Sequence, residues 1–271
     1  MADTLVLAGC GKMGSALLGG WLERGVDASD VIVVEPFEDT ANGVTERFGV
    51  DVVSSPADIP ADVSPETVVF AVKPQSMDDT VPAYARFSGE ATVFLSIAAG
   101  KTIDYFQGYL GHDAAIVRAM PNTPAALGRG ITVACANANT DQPQVRRCDG
   151  LLRAVGAVAW VDDEGLMDAV TAVSGSGPAY VFLLCECMAE AGMEAGLPAD
   201  LARQLARETI AGSGELLRVS SETAADLRTN VTSPGGTTAA ALDILMAGDG
   251  LRELMTRAIA AATKRSRELA G

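Results

Sequence analysis

A glycine-rich segment near the N-terminus has the residue types and spacing of a phosphate-binding turn. Gly9, Gly11 and Gly14 form a G-x-G-x-x-G pattern that follows an apolar β-type run and opens a helical pattern. In that context the first glycine permits a tight turn, the second lets a pyrophosphate approach the backbone, and the third lets helix and strand pack closely. The N–H groups of the helix start then face the anion. The segment predicts a dinucleotide site that also includes Lys12 and Met13.

An acidic residue, Glu35, ends the second β-type run and predicts which cofactor that site prefers. A carboxylate there accepts hydrogen bonds from the ribose hydroxyls of NADH and repels the 2′-phosphate of NADPH. No lysine or arginine lies between Arg24 and Arg47 to offset that repulsion. The sequence therefore favours NADH, with use of both NADH and NADPH left open. The alternative is a solvated glutamate in a turn.

Two more β-type runs, 67–72 and 92–97, end where such a cofactor would lie, because ligands of parallel sheets bind outside the carboxyl ends of the strands. A lysine there would approach a phosphate or the nicotinamide ribose, and small residues leave room for a flat ring. A surface lysine and a tight turn are the structural alternatives. The predicted cofactor residues at these two ends are Ala71, Val72, Lys73, Pro74, Ala98 and Ala99.

A second polar cluster, 233–238, combines two glycines with three hydroxyl side chains directly before a helical pattern. This is more than a helix cap needs, and free N–H groups with hydroxyls make a neutral cradle for a carboxylate. A similar cluster, 174–179, fits helix capping and ligand binding equally well. The cluster 233–238 is therefore the stronger candidate for a carboxylate site.

The residue types that are missing narrow the chemistry further. The chain has a single histidine, His112, which we place in a surface loop, and the helical second half has no lysine before its last helix. Reduction of a carbonyl usually needs a His, Lys or Tyr proton donor, whereas an iminium ion is already protonated. The scarcity of histidine and lysine therefore favours reduction of a C=N bond over reduction of a carbonyl.

The five cysteines include no C-x-x-C pair, which disfavours a zinc site or a disulfide framework, and we predict no bound metal. Cys10 lies at a helix start, where a thiolate is favoured; the alternative is a small filler of the core.

Charge and composition exclude several classes of protein. The 271 residues carry a net charge of −15, which repels nucleic acid and anionic membrane surfaces. The N-terminus lacks the basic and apolar regions of a signal peptide. The uncharged stretch 169–185 contains Gly-Ser-Gly-Pro and is a poor membrane span. We therefore expect a cytoplasmic protein without nucleic-acid or membrane partners.

The two halves of the chain follow different patterns. Short β-branched runs alternate with helical patterns up to Val161, which predicts a mostly parallel sheet covered by helices. Beyond that point helical patterns dominate, so the fold class is α/β with a C-terminal all-α domain, and the predicted domains are 1–162 and 163–271. The helices of the second half are rich in small residues and poor in charge, which favours an oligomer over close packing within a monomer.

The chain resembles the pyrroline-5-carboxylate reductase family in segments that span nearly its whole length. The runs 174–180 (SGSGPAY) and 231–238 (VTSPGGTT) are the most specific. The other matching segments are Gly9–Gly14, Ala71–Pro74, Ser96–Gly100, Met120–Ala125 and Asp168–Val173.

This resemblance implies an N-terminal Rossmann-type domain and a helical domain that interlocks in a homodimer, with dimers assembling into larger rings such as decamers. It implies hydride transfer from NAD(P)H to the imine carbon of 1-pyrroline-5-carboxylate, which gives proline. By this resemblance the substrate carboxylate and ring nitrogen would be held by Ser233, Gly236, Thr237 and Thr238. Thr238 would be the catalytic hydrogen-bond or proton donor to the ring nitrogen. Glu164 and Asn230 would line the site, Asn230 on its cofactor side.

The chain departs from the family at two positions, and both leave the cofactor preference open. Many relatives carry a small or basic residue in place of Glu35, and an asparagine near Ser55 and Pro56. Two rival functions remain: a reductase of the 3-hydroxyacid dehydrogenase type, which would need a lysine that the helical half does not offer, and a non-catalytic dinucleotide sensor.

Overall fold

The structure is a computed structural model that describes residues 4–270. The chain divides into two compact units. The sheet unit comprises the described residues of Met1–Gly175 and Thr263–Gly271, and the helical unit comprises Ser176–Ala262. The domain boundary at residues 162 and 163 stays a prediction.

The sheet unit is built on eight strands in the order β3-β2-β1-β4-β5-β6-β7-β8. Neighbouring strands are parallel except for the pair β6 and β7, which is antiparallel. Each predicted β-type run forms a strand, so the predicted mostly parallel sheet is confirmed. The strands are β1 (Leu5–Ala8), β2 (Val31–Val34), β3 (Asp51–Val53), β4 (Thr67–Phe70), β5 (Val93–Ser96), β6 (Ala115–Met120), β7 (Gly130–Ala136) and β8 (Gly156–Trp160).

Helices cover both faces of this sheet because its strands are apolar on both sides. In β1, Leu5 and Leu7 belong to one buried cluster, whereas Val6 and Ala8 belong to the other. The first cluster packs against α1, α2 and α5, and the second against α3 and α4. These helices are α1 (Lys12–Glu23), α2 (Glu38–Phe48), α3 (Met77–Thr80), α4 (Ile103–Leu110) and α5 (Gln142–Arg153).

One predicted helix, 77–87, is only partly α-helical. The α-helix ends at Thr80, and Val81–Phe87 continues as a 3-10 helix. Pro82 stands at the start of that segment and has no N–H to donate to the preceding turn. The sequence pattern predicted the apolar face of this segment but not its change from α-helical to 3-10 hydrogen bonding.

The helical unit contains the predicted helices of the second half. A short helix, α6 (Met167–Val170), and a π-helical turn, Thr171–Gly175, lead into it from the sheet unit. The last helix begins in the helical unit and ends in the sheet unit. The helices are α7 (Gly177–Glu194), α8 (Ala199–Val219), α9 (Ala224–Asn230), α10 (Thr237–Leu245) and α11 (Leu251–Ala270).

One stretch of the described residues, Glu164–Glu194, is long and apolar enough to cross a membrane by length and composition. It contains the π-helical turn and Pro178, and a single such stretch is weak support for a membrane span.

Candidate active site

A cleft of about 660 Å³ opens in the sheet unit at the carboxyl ends of the first four strands. The chain runs outward from β1 through β2 to β3 and then returns to place β4 on the other side of β1. This reversal of strand order is the place where open α/β sheets bind ligands. Six of the predicted cofactor residues line the cleft: Gly9, Gly11, Glu35, Ala71, Val72 and Lys73.

The glycine turn shows why its three glycines are needed. Gly9 has a φ of 85°, and a Cβ there would lie 2.6 Å from a side-chain carbon of Val72. A Cβ at Gly14 would lie 2.5 Å from the carbonyl oxygen of Gly9, so this glycine lets α1 pack on the turn. A Cβ at Gly11 would meet nothing within 4 Å and would project into open space at the start of α1. The turn thus offers an uncovered helix start, which fits a pyrophosphate.

Glu35 joins the end of β2 to that turn. The side chain is 6% exposed, and its Oε2 accepts a hydrogen bond from the Cys10 N–H at 2.9 Å. Its Oε1 accepts from the Phe37 N–H at 3.2 Å. Glu35 is therefore a fixed carboxylate in the cleft wall, not a solvated turn residue, and it retains lone pairs for further donors.

The remaining predicted cofactor residues have other surroundings. Lys12 and Met13 form the first turn of α1, and Pro74 begins a 3-10 turn after β4. Ala98 is buried in the second core cluster, and Ala99 follows it in the turn after β5. Their contact with a cofactor stays a prediction.

Several residues that line the cleft were not predicted from the sequence. Phe37 lies three residues after the end of β2 and is 71% exposed, and its place just beyond a strand end was the signal that could have found it. Tyr84 is fully buried in the cleft wall, and its hydroxyl has no hydrogen-bond partner among the described residues. Burial raises the pKa of Tyr84, so the group remains a protonated donor. Other cleft residues that were missed are Thr40, Ser54, Ser76, Asp79, Thr80 and Ala83.

The idea of a reactive thiolate at Cys10 is wrong. The side chain is 2% exposed, and burial raises the pKa of its thiol. Its Sγ lies 3.5 Å from the Ser15 hydroxyl, and that hydroxyl donates to the Cys10 carbonyl oxygen. Desolvation outweighs the helix start here, so Cys10 is a small filler beneath the turn.

Glu164 lies in an ion pair within the sheet unit. Its Oε1 accepts from Arg118 Nη1 at 2.7 Å and from the Ile103 N–H at 2.9 Å. Arg118 is 4% exposed although it lies in an apolar strand, and sequence reasoning gave it no role. A charged residue inside a buried strand was the signal for such a partner. The pair ties β6 to the segment that leads into α6.

The predicted substrate residues share one turn in the helical unit. Gly235 has a φ of 69°, and the Gly236 N–H donates to the Ser233 carbonyl oxygen at 3.0 Å. The turn is followed directly by α10, and no side chain caps the start of that helix. The N–H groups of that first turn and the hydroxyls of Thr237 and Thr238 are therefore available to a ligand. In the same unit, Asn230 donates to Glu222 at 2.8 Å.

The cluster 174–179 begins in the π-helical turn. Asn122 holds that turn: its Nδ2 donates to the Ser174 carbonyl oxygen at 3.2 Å, and its Oδ1 accepts from the Ile131 N–H at 2.9 Å. A Cβ at Gly175 would collide with the side chain of Met120. The terminal methyl of Met120 can move aside, so this contact alone does not require glycine, whereas π-helical turns recur at functional sites.

Each half of the chain matches a known protein family. Residues 164–269 match the family described as pyrroline-5-carboxylate reductase dimerisation. Residues 4–100 match the family described as NADP oxidoreductase, coenzyme F420-dependent. The predictions of a nicotinamide-dependent reductase and of a homo-oligomer are confirmed at this level.

Individual relatives agree with the family matches. Pyrroline-5-carboxylate reductase of Pseudomonas aeruginosa is 40% identical over 266 residues, which cover 98% of this chain and 96% of the relative. The Synechocystis enzyme is 39% identical and covers 99% of both chains. The solved reductase structure from Coxiella burnetii superposes with a TM-score of 0.93 at 32% identity over 100% of both chains.

A second solved structure, pyrroline carboxylate reductase of Plasmodium falciparum with NADP bound, superposes with a TM-score of 0.82 at 28% identity, over 99% of this chain and 98% of that one. The predicted fold class and function are confirmed by these relatives. The sequence, the dimerisation region and the fold all match pyrroline-5-carboxylate reductases, and the sequence and fold do so along nearly the whole length. The chain therefore belongs to the pyrroline-5-carboxylate reductase family.

Proposed function

We propose that this chain reduces 1-pyrroline-5-carboxylate to L-proline with a nicotinamide cofactor in the sheet-unit cleft, and that it prefers NADH. The observation that carries the proposal is the cleft itself, where the glycine turn and Glu35 meet at the reversal of strand order. When bound, the reduced nicotinamide supplies the hydride that adds to the imine carbon. We propose that the other cofactor residues predicted from the sequence also contact this cofactor.

The cofactor fits this cleft on three structural grounds. The position that a Cβ of Gly11 would fill is open, which leaves space for a pyrophosphate beside the start of α1. The buried carboxylate of Glu35 is fixed by two backbone N–H groups and presents its free lone pairs as acceptors for ribose hydroxyls. The buried hydroxyl of Tyr84, in the same wall, has no hydrogen-bond partner within residues 4–270.

The turn before α10 is the proposed substrate site. Backbone N–H groups at Thr237 and Thr238, together with the Ser233 hydroxyl, bind the substrate carboxylate without a cationic side chain, while Gly236, whose N–H donates to the Ser233 carbonyl oxygen, shapes the turn. The Thr238 hydroxyl hydrogen-bonds to the ring nitrogen as that nitrogen becomes an amine. Glu164, in the sheet unit, stays a predicted substrate residue, and its Oε1 accepts from Arg118 and the Ile103 N–H.

Removal of the Thr238 hydroxyl tests the catalytic assignment. We expect Thr238→Ala to lower kcat roughly tenfold to a hundredfold, because a hydrogen bond made to the reacting nitrogen is lost. The Kd for NADH, measured by fluorescence titration, should not change, and Thr238→Ser is the matched control that keeps a hydroxyl. Wild-type turnover by Thr238→Ala removes Thr238 from the mechanism. Tight NADH binding by wild-type protein without imine-dependent NADH oxidation would favour the sensor function.

Exchange of Glu35 tests the cofactor preference. We expect Glu35→Ser to raise the ratio of kcat/KM for NADPH over NADH by about tenfold or more, since the charge facing a 2′-phosphate is removed. Glu38→Ser, an exposed charge in the first turn of α2, is the control and should leave the ratio unchanged. A ratio that stays fixed in Glu35→Ser shows that Glu35 does not read the ribose.

The proposed assembly is a homodimer built through the helical unit, with dimers joining into a decamer, and the proposed location is the cytoplasm. Sedimentation of the purified protein at assay concentration checks the assembly. A monomer under those conditions contradicts it.

A further inference from the structure

Phe37 is an exposed aromatic residue in a unit whose other phenylalanines are buried or partly buried. Its ring is 71% exposed, whereas Phe70, Phe94 and Phe106 are at most 1% exposed. Exposure of so large an apolar surface to water is unfavourable unless something covers it. No packing need of α2 explains the ring, because Phe37 precedes the helix as its N-cap residue and contributes no side-chain cap.

The backbone beneath this ring is fixed. The Phe37 N–H donates to Glu35 Oε1 at 3.2 Å, and the other oxygen of that carboxylate accepts from the Cys10 N–H in the glycine turn. The position of Phe37 is therefore coupled to the phosphate turn through one buried side chain. Because this backbone is already fixed, a ligand that covers the ring has only the side-chain torsions of Phe37 left to order.

The surroundings of the ring suit a flat, weakly polar ligand. Pro36 and Phe37 line one side of the cleft at the end of β2, and Ser55 and Pro56 line it after β3. Two prolines and a phenyl ring provide apolar surface, and the neighbouring hydroxyls provide a few hydrogen bonds, which is the composition of a site for a heteroaromatic base. No basic side chain belongs to this end of the cleft; Lys73 lies at the end of β4 instead.

We propose that Phe37 is the stacking platform for the adenine ring of the dinucleotide and sets the share of cofactor affinity that comes from the adenosine half. The inference rests on the proposed function, because it assumes that the pyrophosphate lies on the glycine turn. Glu35 then receives the adenosine ribose, and the base continues outward to the residue two positions along the chain. Stacking on an aromatic face favours any purine and adds affinity without a charged contact.

The test compares ligands that contain or lack the adenine. NADH and ADP-ribose both carry it, whereas reduced nicotinamide mononucleotide lacks the whole adenosine half. Kd values are measured by calorimetry and by fluorescence titration for the wild-type protein, Phe37→Ala and Phe37→Trp. Tyr109→Ala removes another partly exposed aromatic ring, on α4 outside the cleft, and is the matched control.

We expect Phe37→Ala to raise the Kd of NADH and of ADP-ribose about tenfold. The Kd of reduced nicotinamide mononucleotide should not change, Phe37→Trp should restore binding, and Tyr109→Ala should resemble the wild type. Because Phe37 is exposed, the melting temperature of Phe37→Ala should match that of the wild type.

Two outcomes overturn the inference. If Phe37→Ala binds ADP-ribose as tightly as the wild type, the ring does not stack on adenine, although the proposed function stands. If the mononucleotide is weakened as much as NADH, Phe37 supports the cleft as a whole and not the base. Failure of the wild-type protein to bind NADH at all would overturn the proposed function and this inference together.

Discussion

The sheet unit and the helical unit differ in where their large apolar side chains lie. In the sheet unit, two clusters of Leu, Val, Ile and Phe are buried on the two faces of the sheet. In the helical unit, the buried apolar residues are three alanines, Ala189, Ala202 and Ala206, of α7 and α8. The large apolar residues of these helices are exposed instead.

Helix α7 shows this difference most clearly. Four consecutive residues, Val181–Leu184, are each exposed by 43% or more, so the first half of the helix exposes apolar side chains on all sides, whereas its glutamates lie in the second half. A helix of that kind is stable in water only when other apolar surface covers it. The match of residues 164–269 to a dimerisation family supplies the partner, a second copy of the chain. The sheet unit thus carries its own core, whereas in the proposed homodimer the helical unit completes its core by association.

The largest expected effect is on dimer dissociation and comes from a charge placed on α7. Phe182 is 63% exposed, and we expect Phe182→Glu to raise the dimer dissociation constant at least about a hundredfold, because a carboxylate would be buried without a partner. Sedimentation over a range of protein concentrations measures the shift. Leu127→Glu, at an 81% exposed position of the sheet unit, is the control and should sediment as the wild type. A Phe182→Glu protein that stays oligomeric places the interface elsewhere.

An intermediate effect should come from the glycine turn, where the sheet unit is closely packed. Gly14→Ala puts a Cβ 2.5 Å from the Gly9 carbonyl oxygen, so we expect a loss of about 1–3 kcal/mol in the free energy of unfolding. Gly43→Ala in α2 meets no atom within 4 Å and should stabilise the protein by about 0.5–1 kcal/mol. Urea unfolding measures both. Equal stabilities for the two variants would contradict the packing of α1 on the turn.

The smallest effect should come from the unpartnered hydroxyl in the cleft wall. Tyr84→Phe removes a buried donor that has no acceptor, so we expect stabilisation by about 1 kcal/mol without cofactor. The shift in the urea midpoint measures it. Destabilisation by the same substitution would mean that the hydroxyl has a partner. Phe106→Tyr introduces a hydroxyl into the same core and should destabilise the protein.

The sequence predicted those features that depend on local patterns. Apolar runs fixed the strands, and the glycine spacing fixed the phosphate turn, because both depend on residues that are neighbours in the chain. The 3-10 continuation at Val81–Phe87 was missed, although Pro82 is visible in the sequence. Cys10 was open between two interpretations until its burial was known, because the pKa of a thiol depends on desolvation as much as on the nearby helix start.

Contacts between distant residues were decided by the tertiary structure alone. Glu35 meets Cys10 across 25 residues, and Arg118 meets Glu164 across 46, so no local pattern links either pair. The first contact follows from the order of the strands, which places the ends of β1 and β2 side by side. The second needs the segment after β8 to return past β7 to β6. Composition and spacing specified which chemistry this protein carries, whereas the packing of the sheet specified which atoms of Glu35, Phe37 and Tyr84 face one cleft.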